Sequence, residues 1–190
     1  MRLKADTKKQ ILDIAENLLL DRGYNGFSYK DIASALNIKT ASIHYHFPKK
    51  TDLGVAIIQR AIRRFEKWTR LMEKEDIGYS KKLNEYCLIF KRYVDRDQQI
   101  CLGGALETDF KTLPLEMQKE TRILTSTMHQ WLEKILAEGR NKGEFKFSGI
   151  PRDLAFLISS GLQGAIQNVR VATPSCFDSA VKEIMHLIGP

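Results

Sequence analysis

The chain has 190 residues, 43% of them hydrophobic, and a formal net charge of +7, enough to bury a real core and too apolar for disorder to be the default. No apolar run approaches the roughly 20 residues of a membrane span, and the N-terminal stretch MRLKADTKKQ lacks the hydrophobic segment of a secretory signal, so a cytoplasmic protein without a membrane partner is expected. The three cysteines, Cys87, Cys101 and Cys176, are an odd number without a CxxC pair, which points away from a disulfide framework and from a zinc knuckle.

The charge is unevenly placed. Residues 1–70 hold fourteen Lys and Arg against seven Asp and Glu, whereas residues 71–190 hold sixteen against sixteen. A basic end on a neutral remainder suggests a polyanion-binding module joined to a part with another task, the bland alternative being a solvated basic face.

In chain order, Ile11, Leu12, Ala15, Leu18 and Leu19 recur at helical spacing, with Thr7 and Gln10 placed as a capping box and Gly23 as the stop. Ser28 and Asp31 form a second capping signature that opens a second helix, and Phe47-Pro48 ends a third, because proline disfavours helical geometry in the residue before it. Between them, Ala33, Asn37 and Ile43, spaced by four and then six residues, supply a small crossing residue, a corner tolerant of left-handed backbone and an apolar anchor. That is the spacing of a helix-turn-helix. Ile32, Leu36, Ile38 and Phe47 would complete its miniature core.

A longer helix is expected over 51–72, apolar through Leu53, Ile57, Ala61, Phe65, Trp68 and Met72, with Arg60, Arg63, Arg64 and Lys67 on another side. Further helices are expected over 80–96, 101–110, 114–140, 151–172 and 175–187, with Leu113-Pro114 and Ile150-Pro151 as starts, Gly139 and Gly143 bracketing a stop, and Thr173-Pro174 separating the last two. Glu144-Phe145-Lys146-Phe147 alternates like a strand but lies between breaks, and reads as a loop with an apolar anchor. The fold class is all-α, with about nine helices, no internal repeats and no low-complexity linkers.

Thr7, Ile11, Ala15, Leu18, Gly23-Tyr24, Phe27-Ser28, Asp31-Ile32-Ala33, Ile43, Tyr45, Phe47, Lys50 and Leu53 stand in order and without gaps as in the tetracycline-repressor (TetR) family, which the first fifty-odd residues resemble. The resemblance implies a helix-turn-helix DNA-binding domain over residues 1–50 and a helical effector-binding and dimerisation domain over 51–190. It implies a homodimeric regulator bound to a double-stranded DNA operator, commonly a repressor released by a small molecule. Lys39, Ala41 and His44 stand where family members commonly carry Ser, Gly and Tyr, which leaves the operator sequence open. KTASIHYHFPKKTDLG is similar to the branch with histidine-rich recognition helices that responds to reactive or unsaturated compounds.

Small Thr40, Ala41 and Ser42 permit close entry into a major groove, and Lys39 and Thr40 are the expected base-edge contacts. His44, Tyr45 and His46 would reach phosphates or bases, the alternative being an imidazole packed on the domain's own surface. Lys50, at the start of the fourth helix, and Thr7, Ser28 and Tyr29 would bind phosphates. Metal binding by His44 and His46 is disfavoured, since residues two apart on a helix point about 200° from each other and no supporting ligand is spaced nearby. His129 and His186 are isolated on apolar helices, so no catalytic constellation, metal site or cofactor is expected.

Cys101 has two readings: a thiol at the start of a helix, made nucleophilic by backbone dipoles and resembling the cysteine of electrophile sensors, or a buried small hydrophobe. A rival function follows from the first, a thiol-based enzyme with Cys101 as nucleophile and a basic terminus. A second rival is a sequence-indifferent DNA-coating protein. Cys87 and Cys176 are assigned to packing. For a reversible effector of unknown identity the candidate wall is Phe65, Trp68, Tyr86, Phe90, Tyr93, Cys101, Phe110, Met128 and Trp131, with Gln163 or Asn168 as polar contact, although such stripes also serve as plain core. A second copy would pair with Leu154, Leu157, Ile158, Gly161, Leu162, Ala165, Val169, Val181, Ile184, Met185 and Ile188, unless intrachain packing uses them.

Overall fold

A computed structural model describes residues 2–96 and 99–189. Among these the chain forms nine α-helices and a 3-10 turn: α1 (Arg2–Arg22), α2 (Tyr29–Leu36), α3 (Thr40–His46), α4 (Lys50–Lys74), α5 (Tyr79–Val94), α6 (Leu102–Thr108), the turn Phe110–Thr112, α7 (Leu115–Asn141), α8 (Pro151–Val169) and α9 (Ser175–Ile188).

The local signals explain most of the boundaries. The Asp31 carboxylate accepts from both the backbone N–H and the hydroxyl of Ser28, each at 2.7 Å, closing the first turn of α2. Asn37 takes the left-handed conformation at φ 51°, ψ 46° and turns the chain toward α3. Phe47, before Pro48, is extended at φ −138°, ψ 91°, and α3 stops there. Residues 144–147 are a non-helical link anchored by the buried ring of Phe145, as their flanking breaks imply.

Two starts differ from the sequence reading. α1 begins at Arg2, so Thr7 lies inside it; Arg, Leu, Lys and Ala ahead of Thr7 are strong helix formers and carry the helix through the expected cap. Cys101 precedes α6 rather than opening it, and the segment to Phe110 breaks at Asp109 into a separate 3-10 turn. Of the polar stretch 95–99 before Cys101, Asp97 and Gln98 lie outside the described residues.

The chain divides into two compact units, residues 1–64 with 102–124, and residues 65–101 with 125–190. α4 and α7 each contribute to both. In the first unit α1 packs on α2, α3 and α6. Its core is built from Ile11, Ala15 and Leu19 of α1, Ile32 and Ala33 of α2, Ile43 of α3, and Leu53 and Ile57 of α4, all buried. In the second unit α8 packs on α5 and α9 around Leu83, Tyr86, Leu132, Leu162 and Phe177. Burial of apolar surface on this scale is the main stabilising term in each unit.

Candidate nucleic-acid interface

α3 is too short to be stable alone, so its orientation comes from packing. Ile43 is fully buried and Phe47 nearly so, while Lys39, Thr40, Ala41, Ser42, His44 and Tyr45 are exposed and His46 is half-buried. The helix therefore presents small residues at its start and polar aromatics further along, on the side opposite its anchor. Tyr45 is 68% exposed, with its ring edge-on to that of His46 at 5.1 Å. His44 Nδ1 lies 3.2 Å from the Pro48 carbonyl, which can only accept. Nδ1 is therefore the donor of that pair.

Of the expected phosphate ligands, Lys50, Tyr29 and Ser28 have donors engaged within the protein. Lys50 donates its ammonium to the Tyr24 carbonyl at 2.6 Å and to the Phe27 carbonyl, over the rings of the same two residues at 4.5 and 4.3 Å. Burial holds its pKa below the ordinary lysine value. The Tyr29 hydroxyl donates to the Phe47 carbonyl at 2.8 Å, and burial, with a smaller contribution from the Asp52 carboxylate, pushes its pKa up to about 12. The Ser28 hydroxyl is engaged by Asp31. The Lys50 and Tyr29 donors are part-buried and tie α4 to the loop before α2 and α2 to the end of α3, whereas the Ser28 hydroxyl is exposed in the cap of α2; a phosphate would compete with each of these bonds. Thr7 is half-buried within α1.

Lys30 and Lys49, not singled out from the sequence, are exposed beside these elements, as are Lys39 and Lys8, the latter with its ammonium 5.4 Å from the Phe47 ring. The signal was available: Lys50 shares the helical face of Leu53 and Ile57, which are core, whereas Lys49 sits one residue outside the helix. The Asp52 carboxylate accepts the Lys49 backbone N–H at 2.9 Å, which caps α4 and leaves the Lys49 side chain to solvent.

The family model "Bacterial regulatory proteins, tetR family" matches residues 11–57, which spans α2, α3 and the corner between them. The crystal structure of a TetR transcriptional regulator from Legionella pneumophila is 31% identical, covers 96% of this chain and 97% of its own, and superposes with a TM-score of 0.84. The chain belongs to the TetR family. A TetR-family regulator from Agrobacterium tumefaciens superposes with a TM-score of 0.93 at 25% identity, covering 98% of this chain and 100% of that one. The biofilm operon icaADBC HTH-type negative transcriptional regulator IcaR of Staphylococcus epidermidis is 29% identical over 128 residues, which is 67% of this chain and 68% of that protein. This TetR-family member is accordingly a DNA-binding transcriptional regulator with an all-α fold.

In the second unit the structure gathers five of the expected effector residues of this TetR protein into one aromatic cluster. Tyr86 and Trp131 stack at 5.7 Å with planes 24° apart, Trp68 meets Trp131 edge-on at 4.7 Å, Phe65 lies 6.1 Å from Trp131, and Phe90 lies 5.3 Å from Tyr86. Tyr93 and Met128 are partly buried against the same core, Gln163 is half-buried on α8, and Phe110 belongs instead to the first unit, beneath the Arg122 guanidinium at 4.8 Å.

Cys101 is a buried member of that core, which removes the exposure a reactive thiol requires and leaves the thiol-enzyme rival without support. Burial likewise pushes the Cys87 thiol up to about 12. The thiol held below its ordinary value is that of Cys176, by hydrogen bonding to Thr173. Of the expected pairing surface, Ile158, Leu162, Ala165, Val169 and Ile188 are buried within the unit and face its own core. Leu157 and Gly161 are exposed and Leu154, Val181, Ile184 and Met185 half-buried, and exposed Phe156 and Leu187 add to them. No helix among the described residues is long and apolar enough to cross a membrane.

Proposed function

We propose that this regulator is a homodimeric repressor whose two α3 helices enter successive major grooves of a near-palindromic operator, in the cytoplasm. Lys39, Thr40, Ala41 and Ser42 approach base edges, His44 and Tyr45 reach bases or phosphates, His46 completes the end of α3, and Lys30 and Lys49 meet phosphates in place of Lys50. Residues 1–50 act as the DNA-binding domain and 51–190 as the domain for effector and dimer contacts. The observation that carries the reading is the division of α3: Ile43 has no exposed surface, while the residues on its other side are open. Relatives named as negative regulators support repression over activation.

A reversible small molecule held by the aromatic cluster of Phe65, Trp68, Tyr86, Phe90 and Trp131 releases the DNA. Phe65 and Trp68 lie on α4, the helix that begins beside α3, so a ligand that shifts them changes the course of that helix. Such a ligand acts only if it binds the DNA-incompetent state more tightly. Leu157, Gly161 and the half-buried Leu154, Val181, Ile184 and Met185 offer the surface for a second copy, which sets the symmetry of the operator.

The test is fluorescence anisotropy with the duplex upstream of the protein's own gene against a random duplex. A preference of about 10³-fold is expected. Equal affinity for both would leave only a sequence-indifferent DNA coat.

A further inference from the structure

Trp131 is 7% exposed, and its indole Nε1 is buried with no hydrogen-bond partner. Buried indole N–H groups in native cores are nearly always bonded. The side chains around it offer flat faces: Trp68, Phe65 and Tyr86 have ring centroids within 4.7 to 6.1 Å of the Trp131 ring. The nearby Tyr86 hydroxyl is itself poorly bonded, 3.5 Å from the buried Ser159 hydroxyl. Among the described residues, no Lys, Arg or His of the second unit is buried.

These groups define a ligand by elimination. An anion would find no buried cation to pair with, and a cation, although ring faces attract it, has no acceptor to offer and would leave the buried indole N–H unbonded. What fits is a flat face for the rings and one uncharged acceptor for the donor. The rings lie in contact with one another, so a guest has to displace one of them. Trp68 is the partly buried member, lying edge-on to Trp131, and is the ring that a guest would displace.

We propose that the aromatic cluster binds an uncharged, planar aromatic compound bearing a carbonyl oxygen, which stacks on the Tyr86–Trp131 pair and accepts the Trp131 indole N–H. This rests on reading the cluster as the effector site and names the class of molecule it takes.

Both tryptophans of the chain are in the cluster, so their emission reports on this site alone. The full chain is titrated by calorimetry with acetophenone and with ethylbenzene, which has a similar shape without the acceptor, while tryptophan emission is followed. Acetophenone is expected to bind about tenfold more tightly, the worth of one buried hydrogen bond, with saturable quenching. In Trp131→Phe the two probes should bind alike, with Trp68 still reporting.

Equal affinities in the unaltered protein, absence of binding by both, or a tenfold ratio retained in Trp131→Phe would each overturn the assignment. So would tighter binding of benzoate or phenyltrimethylammonium than of acetophenone. Release of DNA is read separately by anisotropy: acetophenone that binds as described and leaves duplex affinity unchanged overturns the effector reading and keeps the ligand class.

Discussion

The ammonium of Lys50, at the first position of α4, is bonded to the carbonyl of Tyr24 at 2.6 Å and lies over that residue's ring. A cation expected on the DNA side is thus the tie between α4 and the loop joining α1 to α2. Replacing Lys50 by Met keeps the aliphatic stem and leaves the Tyr24 and Phe27 carbonyls without their charged donor, at a cost of about 2 kcal/mol. Denaturant unfolding should show that loss, while the salt dependence of DNA binding by the folded variant stays as in the parent protein. A salt slope lowered by one contact would return Lys50 to the phosphate.

Lys39 is exposed at the N-cap of α3 and has the opposite expectation. In Lys39→Ala stability should be nearly unchanged, and discrimination at one base pair of the operator should fall by about 1–3 kcal/mol. Binding to a panel of single-base operator variants reads this out. A uniform weakening across the panel would mean a phosphate contact in place of a base contact.

Asp31 holds its carboxylate below the ordinary value, first through the Ser28 hydroxyl and then through the Ser28 backbone N–H. A folded-state pKa below the unfolded one contributes stability that is present above the unfolded pKa and disappears as pH falls through the folded one. Asp31→Asn should therefore lower the melting temperature near neutrality, and the gap from the parent protein should close on acidification below pH ~4. A gap independent of pH would show that the charged cap contributes nothing.

Glu16 is 8% exposed, and its two carboxylate oxygens accept separately from Arg60 and Arg64 of α4. Removing it in Glu16→Ala leaves the Arg60 guanidinium, whose side chain is 17% exposed, with only Asp13 as its carboxylate partner. A loss of about 3 kcal/mol is expected. A double-mutant cycle with Arg60→Met checks the assignment, since the two losses should fall well short of adding.

Leu157 is 62% exposed on α8, close to exposed Gly161 and Phe156. Leu157→Asp should leave the melting of the monomer fold nearly unchanged and shift the protein to monomer in sedimentation. Affinity for a two-half-site operator should fall with it, because each α3 then binds alone. A variant that remains dimeric would move the pairing surface elsewhere.

Much of the helix-turn-helix was readable beforehand because its determinants are near neighbours: the Ser28–Asp31 cap, the left-handed Asn37, the pre-proline Phe47 and the anchor Ile43. The start of α1 was misplaced because a capping pattern at Thr7 competes with good helix formers before it, and the helix formers prevail. The second unit was less legible, since an apolar stripe on α8 carries the same pattern whether it meets α5 and α9 or another chain. Ile158 and Leu162 are buried against their own chain, whereas Leu157, the residue before Ile158, is not.

The sequence by itself determined the all-helical class, the corner at Asn37 and the basic end, because propensity, capping and net charge depend on composition and on residues a few positions apart. Only the tertiary structure decided which polar groups remain available. Lys50 bonds carbonyls 26 and 23 positions away, and Tyr29 one that is 18 away. A donor's partner at that range exists only once packing has brought the two backbone segments together.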